Sequence, residues 1–307
     1  MLDDASRRAL FSAPLITDEF KPAAALVQAD FAARSHQGRA SRENDDHYLV
    51  LRLGRYEETL FTSLSSRDVP SRFDEYGYAA VVADGIGGGG AGAMAARLAI
   101  STLTDLHRRT GHWDMRIEPE IASEIVNRSE WLYHRTHEAV LRWYRAHLDV
   151  GRMAATLTGM YSAGRDLFVA NVGHSRCYLF RGGRLSQLTR DDTLRERLSI
   201  GSYPTPIGQG LEDPPHVLTD AIGADGAGPR VIVEHFLLED DDAILLCTNG
   251  LTDVASEDTI ADILASKRTP DEQSKLLVET ALANGGTDNV TVVVASYRFL
   301  ETLEPGW

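Results

Sequence analysis

The sequence predicts an α+β fold in one domain, on three observations. Short apolar runs bounded by Gly, Asp and Asn recur from Ala25 to Tyr297. Two long amphipathic stretches interrupt them between Ala95 and His147, and a capped helical stretch precedes the last run. The resulting order, strands, two helices, strands, two helices and a final strand, calls for sheets that carry helical cover. No linker, fixed-period repeat or low-complexity segment divides the chain, so a single domain is expected over residues 25–300, preceded by a partly ordered leader, 1–24.

Taken in order, Ala25 to Ala33 alternates loosely and Tyr48 to Leu53 is apolar, which predicts two strands around a polar loop, Ser35 to Asp46. Gly54 to Tyr76 reads as irregular, and Tyr78 to Ala83 as a buried strand. Ala95, Ala99, Leu103 and Leu106 share a helical face, and Ile121, Ile125, Leu132, Ala139 and Trp143 form the stripe of a second helix from about Glu118 to His147. Met153 to Tyr161, Leu167 to Val172, Arg176 to Phe180 and Leu185 to Leu188, with a turn at Gly182-Gly183, predict an antiparallel meander. Thr189 to Arg230 is rich in Gly, Pro and Asp and reads as a flexible, flap-like surface excursion.

Strands return at Val231 to Leu238 and Ala243 to Cys247, and two helices follow. The second is announced by Thr269-Pro270-Asp271-Glu272, a capping box with Pro at the first helical position, and ends at Gly285-Gly286. Val290 to Tyr297 is apolar throughout, as a central strand requires.

Composition narrows the function. A net charge of −14 argues against nucleic acid or an anionic membrane as partner and suits cation binding. Two cysteines, Cys177 and Cys247, give neither a disulfide framework nor a thiolate zinc site, which fits a reducing cytoplasm. No apolar run approaches the roughly 20 residues of a membrane helix, and the acidic start, Met1-Leu2-Asp3-Asp4, is unlike a secretory signal.

The chemistry lies where strands end. Asn44-Asp45-Asp46 precedes one strand, Ala83-Asp84-Gly85-Ile86-Gly87-Gly88 ends another, Asn249-Gly250 ends a third, and Asp288-Asn289 opens the last. If these ends meet, their carboxylates repel one another unless cations stand between them. Oxygen donors without His or Cys favour Mg²⁺ or Mn²⁺ over zinc.

These blocks, with Asn171-Val172-Gly173-His174-Ser175-Arg176, Leu245-Leu246-Cys247-Thr248-Asn249-Gly250-Leu251 and Gly286-Thr287-Asp288-Asn289-Val290-Thr291, resemble in order those of the metal-dependent protein phosphatases, the PPM or type 2C serine/threonine phosphatases, in their bacterial single-domain form. The resemblance implies an αββα sandwich of two antiparallel sheets flanked by helices, with a binuclear Mn²⁺ or Mg²⁺ centre at one edge. It implies that Asp84 bridges two ions, that the Gly85 carbonyl binds one, that Asp45 and Asp46 ligate an ion or its water, and that Asp288 completes a site. Water activated by the two ions would then attack the phosphorus of phosphoserine or phosphothreonine in line, with no protein nucleophile. The implied partner is a phosphorylated protein, the product of a serine/threonine kinase, and the enzyme would be a monomer.

Departures from the family pattern qualify this. Asn249 stands where the family carries a metal-binding Asp, and a neutral amide oxygen holds a hard cation less firmly. His174 replaces an Asp in a position read as a structural turn. Met153-Ala154-Ala155-Thr156 replaces the usual Met-Gly-Thr-Thr, and Asp191-Asp192 stands where Asp-His is common. Arg152, where some relatives carry an Asp, weakens the case for a third metal. The phosphate-binding Arg is displaced: Ser41 occupies its slot, leaving Arg42 and Arg39 as candidates. The residues therefore leave open an active phosphatase, a pseudophosphatase that binds phosphoprotein, and a metallohydrolase acting on small phosphate esters.

Overall fold

The computed structural model describes residues 27–65, 69, 71–110, 117, 119–199, 217–226 and 228–299. The expected leader, 1–24, lies outside them. Two five-stranded antiparallel sheets are present. The first has the order β1 (Val27–His36), β12 (Val290–Phe299), β11 (Ala243–Cys247), β8 (Arg176–Arg181), β9 (Arg184–Gln187). The second runs β10 (Ile232–Leu237), β7 (Asp166–Val172), β6 (Leu157–Ala163), β3 (Arg72–Ala83), β2 (His47–Glu58). A two-residue ladder joins β4 (Gly85–Ile86) to β5 (Ala154–Ala155).

Strand periodicity sorts the core into three layers. Ala80 and Val82 of β3 face Ile244 and Leu246 of β11 between the sheets, while the alternate residues Val81 and Ala83 face helices α1 (Ala91–Thr110) and α2 (Pro119–Ala146). On the other side Leu245 and Cys247 pack with Leu251, Ile260 and Leu277 beneath α4 (Asn249–Thr252), α5 (Glu257–Ala265) and α6 (Pro270–Ala283). The result is the helix, sheet, sheet, helix sandwich that the resemblance implied. The β12 strand is central, and the α6 capping box closes reciprocally between Thr269 and Glu272.

Four expectations need correction. Gly54 to Tyr76 is not irregular throughout, because β2 and β3 continue as a paired ribbon from Leu53↔Gly77 to Glu58↔Arg72. The meander is broken: β7 stays in the second sheet and β8 crosses to the first, through a turn in which Gly173 has φ 105°. Where two helices follow β11, the one-turn α4 comes first. The excursion from Thr189 is anchored rather than superficial over its described parts. Ile222 is fully buried and pairs with Ala155, Thr193 pairs with Leu218, and α3 (Leu194–Ser199) follows Thr193; residues 200–216 lie outside the described residues. Both cysteines are free and buried. No helix among the described residues is long and apolar enough to cross a membrane.

Candidate metal centre

Four chain segments meet where the two sheets share an edge. Asp45 and Asp46 immediately precede β2, Asp84 follows β3, Asn249 stands two residues after β11, and Asp288 two residues before β12. The segments are joined through backbone and hydroxyl groups. Asn289 is buried and uses its amide on three partners: Oδ1 accepts from the Asp45 N–H at 2.7 Å, and Nδ2 donates to the carbonyls of Gln37 (2.9 Å) and Glu43 (3.0 Å). It thereby fixes the whole loop before β2 to the start of β12. The close approach requires glycine at Gly250, where a β-carbon would overlap the Asn289 carbonyl.

Each carboxylate has its own support. Asp46, 4 % exposed, accepts at Oδ2 from the Thr248 hydroxyl at 2.8 Å. Because Thr248 Oγ1 already accepts from the Thr291 N–H at 3.0 Å, its single proton is directed to Asp46. The Ala93 N–H at the start of α1 favours the ionised form of Asp45. That helix has no acidic residue in its own first turn, so Asp45 supplies the negative charge its N-terminus favours. At Asp84 the main chain is clamped both ways by Thr156: the Asp84 N–H donates to Thr156 Oγ1 at 3.0 Å, and the Thr156 N–H to the Asp84 carbonyl at 2.9 Å. Ser175 Oγ holds the same hydroxyl at 2.7 Å. Gly85 and Gly92 are the close approach of strand end to helix, since a β-carbon on Gly85 would overlap the Gly92 carbonyl.

The electrostatics match the crowding. Burial, then the charges of Asp46, Asp288, Asp45 and Asp253, push the Asp84 carboxyl well above the usual range. Burial pushes Asp46 up to about 7, against the hydrogen bonds from Thr248 and Thr291 and with the charges of Asp288 and Asp45. Asp45 is raised too, chiefly by burial. Two oxygens, Asp45 Oδ1 and Asp46 Oδ1, are buried without a hydrogen-bond partner. Buried acceptors of this kind, beside other carboxylates, are what a divalent cation satisfies, so the donor set fits the ions.

The remaining positions are looser. Asn249 turns its Nδ2 to Asp253 Oδ2 at 3.0 Å, and Asp288 is exposed, its Oδ1 accepting from the Asn289 N–H at 2.8 Å. Among the described residues no three His, Cys, Asp or Glu side chains are drawn together tightly enough to form a closed cation cage, as expected of like charges that repel. Arg39 and Arg42 are both exposed on the loop before β2, and the structure does not separate them as candidates. His174 is buried, with Nδ1 3.9 Å from Asp84 Oδ2. Asp191 chelates the Arg176 guanidinium, and Asp192 accepts from the Gly173 N–H at 3.0 Å. Sequence reasoning missed Asn289 as a clamp and the Thr248, Thr156 and Asp253 contacts; the one signal was that Asn289, Thr248 and Thr156 fall within the blocks that carry the family resemblance.

Two antiparallel sheets packed between helices, with carboxylates gathered at their shared edge, define the αββα class of the metal-dependent phosphatases. Comparison with known proteins agrees. The family described as Stage II sporulation protein E (SpoIIE) matches residues 74–298. The serine/threonine phosphatase stp of Listeria welshimeri is 31 % identical over 228 residues, 72 % of this chain and 85 % of that protein. The serine/threonine protein phosphatase PstP of Mycobacterium tuberculosis is 31 % identical over 214 residues, 70 % of this chain but 39 % of that longer protein. Among solved structures, the catalytic domain of PstP in complex with two manganese ions superposes with a TM-score of 0.65 at 27 % identity, covering 89 % of this chain and 99 % of that one. The Streptococcus agalactiae serine/threonine phosphatase, 22 % identical, shares the fold with a TM-score of 0.69. The chain belongs to the SpoIIE/PP2C-type (PPM) family of phosphoprotein phosphatases, hydrolases of phosphate monoesters.

Proposed function

We propose that this chain hydrolyses phosphoserine and phosphothreonine in proteins at a centre of two Mn²⁺ or Mg²⁺ ions, opposing a serine/threonine kinase as a cytoplasmic monomer. The observation that carries the reading is the meeting of Asp45, Asp46, Asp84 and Asp288, with two buried oxygens in need of a partner and an Asp84 carboxyl whose ionisation its neighbours oppose. These four residues, the Gly85 carbonyl and the Asn249 amide oxygen would hold the ions. Paired divalent cations, when bound, lower the pKa of water and neutralise phosphoryl charge.

The chain's own groups prepare the site. The Ala93 N–H and the helix N-terminus favour the ionised form of Asp45, and the Thr248 hydroxyl does the same for Asp46. Thr156 fixes the main chain of Asp84, so its carboxylate reaches the centre from a rigid strand end. Arg42 and Arg39, exposed on the loop before β2, would receive phosphate oxygens. A second reading, a pseudophosphatase that binds phosphoprotein, is favoured by one observation: the neutral Asn249 is engaged with Asp253.

Hydrolysis of a phosphopeptide and of p-nitrophenyl phosphate, measured across a Mn²⁺ titration, separates the two. We expect Mn²⁺-dependent turnover that Asp84→Ala abolishes, and saturation at lower Mn²⁺ in Asn249→Asp. Absence of turnover in the unaltered chain, with recovery in Asn249→Asp, would establish the second reading instead. A preference for nucleotides or sugar phosphates over the phosphopeptide would refute the protein substrate.

A further inference from the structure

A groove of about 550 Å³ opens at the strand end that carries Asp84. Ile86 and Gly87 line one side, Arg152 and Met153 the stretch before β5, and residues 218–225 the wall that follows α3. That wall is fastened in place. Ile222 pairs with Ala155 of β5, and the Gly223 N–H donates to His137 Nδ1 of α2 at 3.1 Å. The volume falls in the range of clefts that receive ligands, and the fixed wall means that little ordering is left for a guest to impose.

Three charged side chains line the groove: Arg152, Asp220 and Asp225. Both aspartates are already paired, Asp220 with Arg197 and Asp225 with Arg145 at 3.1 Å. Arg152 is exposed and has no carboxylate partner among the described residues. Its main chain abuts the turn after Asp84, because a β-carbon on Gly87 would stand 2.5 Å from the Arg152 carbonyl oxygen. In a chain of net charge −14, an unpaired guanidinium at this place favours an anionic guest. Ile86 lies two residues beyond Asp84, roughly 7 Å of extended chain, so residues one to three places from a phosphoserine held at the ions come within reach of the groove.

We propose that this groove receives the stretch of the phosphoprotein flanking the phosphorylated residue, and that Arg152 selects an Asp or Glu side chain there. The inference rests on the phosphoprotein reading of the acidic corner and names a preference within it. It is tested on the full chain with Mn²⁺, using phosphoserine peptides that carry Glu, Gln or Lys at each of the three positions on either side. Two quantities are measured: kcat/KM for the peptides, and Kd for their non-hydrolysable phosphonate counterparts by fluorescence anisotropy. At one or more positions Glu should be preferred to Gln about threefold to tenfold in both, the size expected of a solvent-facing ion pair. Arg152→Gln should bring that ratio to about one, and Arg152→Glu should turn the preference to Lys; each ratio is taken within one protein, so a change in overall activity cancels. Equal values for Glu and Gln at every position, or a ratio that survives in Arg152→Gln, overturns the proposal. Absence of turnover for every peptide would defeat the phosphatase reading, while the affinity ratio still decides the role of Arg152.

Discussion

Chelated protein is expected to lose stability as pH rises through the range in which Asp46 ionises. In the unfolded chain this carboxyl has the ordinary value of 3.8, and in the fold it is pushed up to about 7. Between those values the folded state holds a proton the unfolded state has released, so stability is greatest at the acidic end and falls as pH climbs through the folded value. At about 1.4 kcal/mol per pH unit, the difference corresponds to a loss on the order of 4 kcal/mol. Asp84 changes in the same direction, because it too is raised. The assay is urea unfolding followed by tryptophan fluorescence in EDTA from pH 4.5 to 7.5, comparing the unaltered chain with Asp46→Asn. The variant cannot titrate at this position, so its stability should decline less steeply, by that amount across the range. Mn²⁺ should flatten the unaltered curve, since the ionised carboxylates are the form that binds cations. Parallel curves for the two proteins in EDTA would refute the reasoning.

Asn289→Ala removes three hydrogen bonds that fasten the loop before β2. At about 1 kcal/mol net each, stability should fall by about 2–4 kcal/mol, with faster hydrogen exchange at the Asp45 amide; unchanged exchange there would contradict the clamp. Gly85→Ala forces a β-carbon into the Gly92 carbonyl, whereas Gly88→Ala meets nothing within 4 Å. Denaturant midpoints should show a loss of about 1–3 kcal/mol for the first and little for the second, and equal effects would show that the strand end does not press on α1.

Local patterns reveal those parts of the fold whose stabilisation is local. The α6 start was readable because Thr269 and Glu272 satisfy each other's N–H groups within one turn. The central position of β12 was readable because a strand covered on both faces is apolar throughout. By contrast, the outer ribbon of β2 and β3 has mostly exposed residues on β2 and is held by pairs such as Arg55 with Glu75 and Arg52 over the Tyr76 ring, which leave no simple alternation. The crossing of β8 to the other sheet is invisible for a different reason. Both β7 and β8 are largely buried, and either sheet would satisfy the pattern. At the site, aspartates beside glycine announced themselves by residue type. The Thr248 hydroxyl did not, because its partner Asp46 is 202 residues away and a threonine in a strand end has many uses.

The pairing of β1 with β12 gives the acidic corner a place in the order of assembly. The Asp45 N–H finds its acceptor, the Asn289 side-chain oxygen, 244 residues along the chain, and Thr248 is positioned for Asp46 by Thr291. Contacts of such separation close the largest loops and form only after more local hairpins can support them. Until β12 inserts between β1 and β11, the repelling carboxylates have neither their clamp nor their proton donor in place. Competence to gather cations is therefore acquired with the last strand, so a chain that has folded only its second sheet and helices carries the aspartates but not the centre.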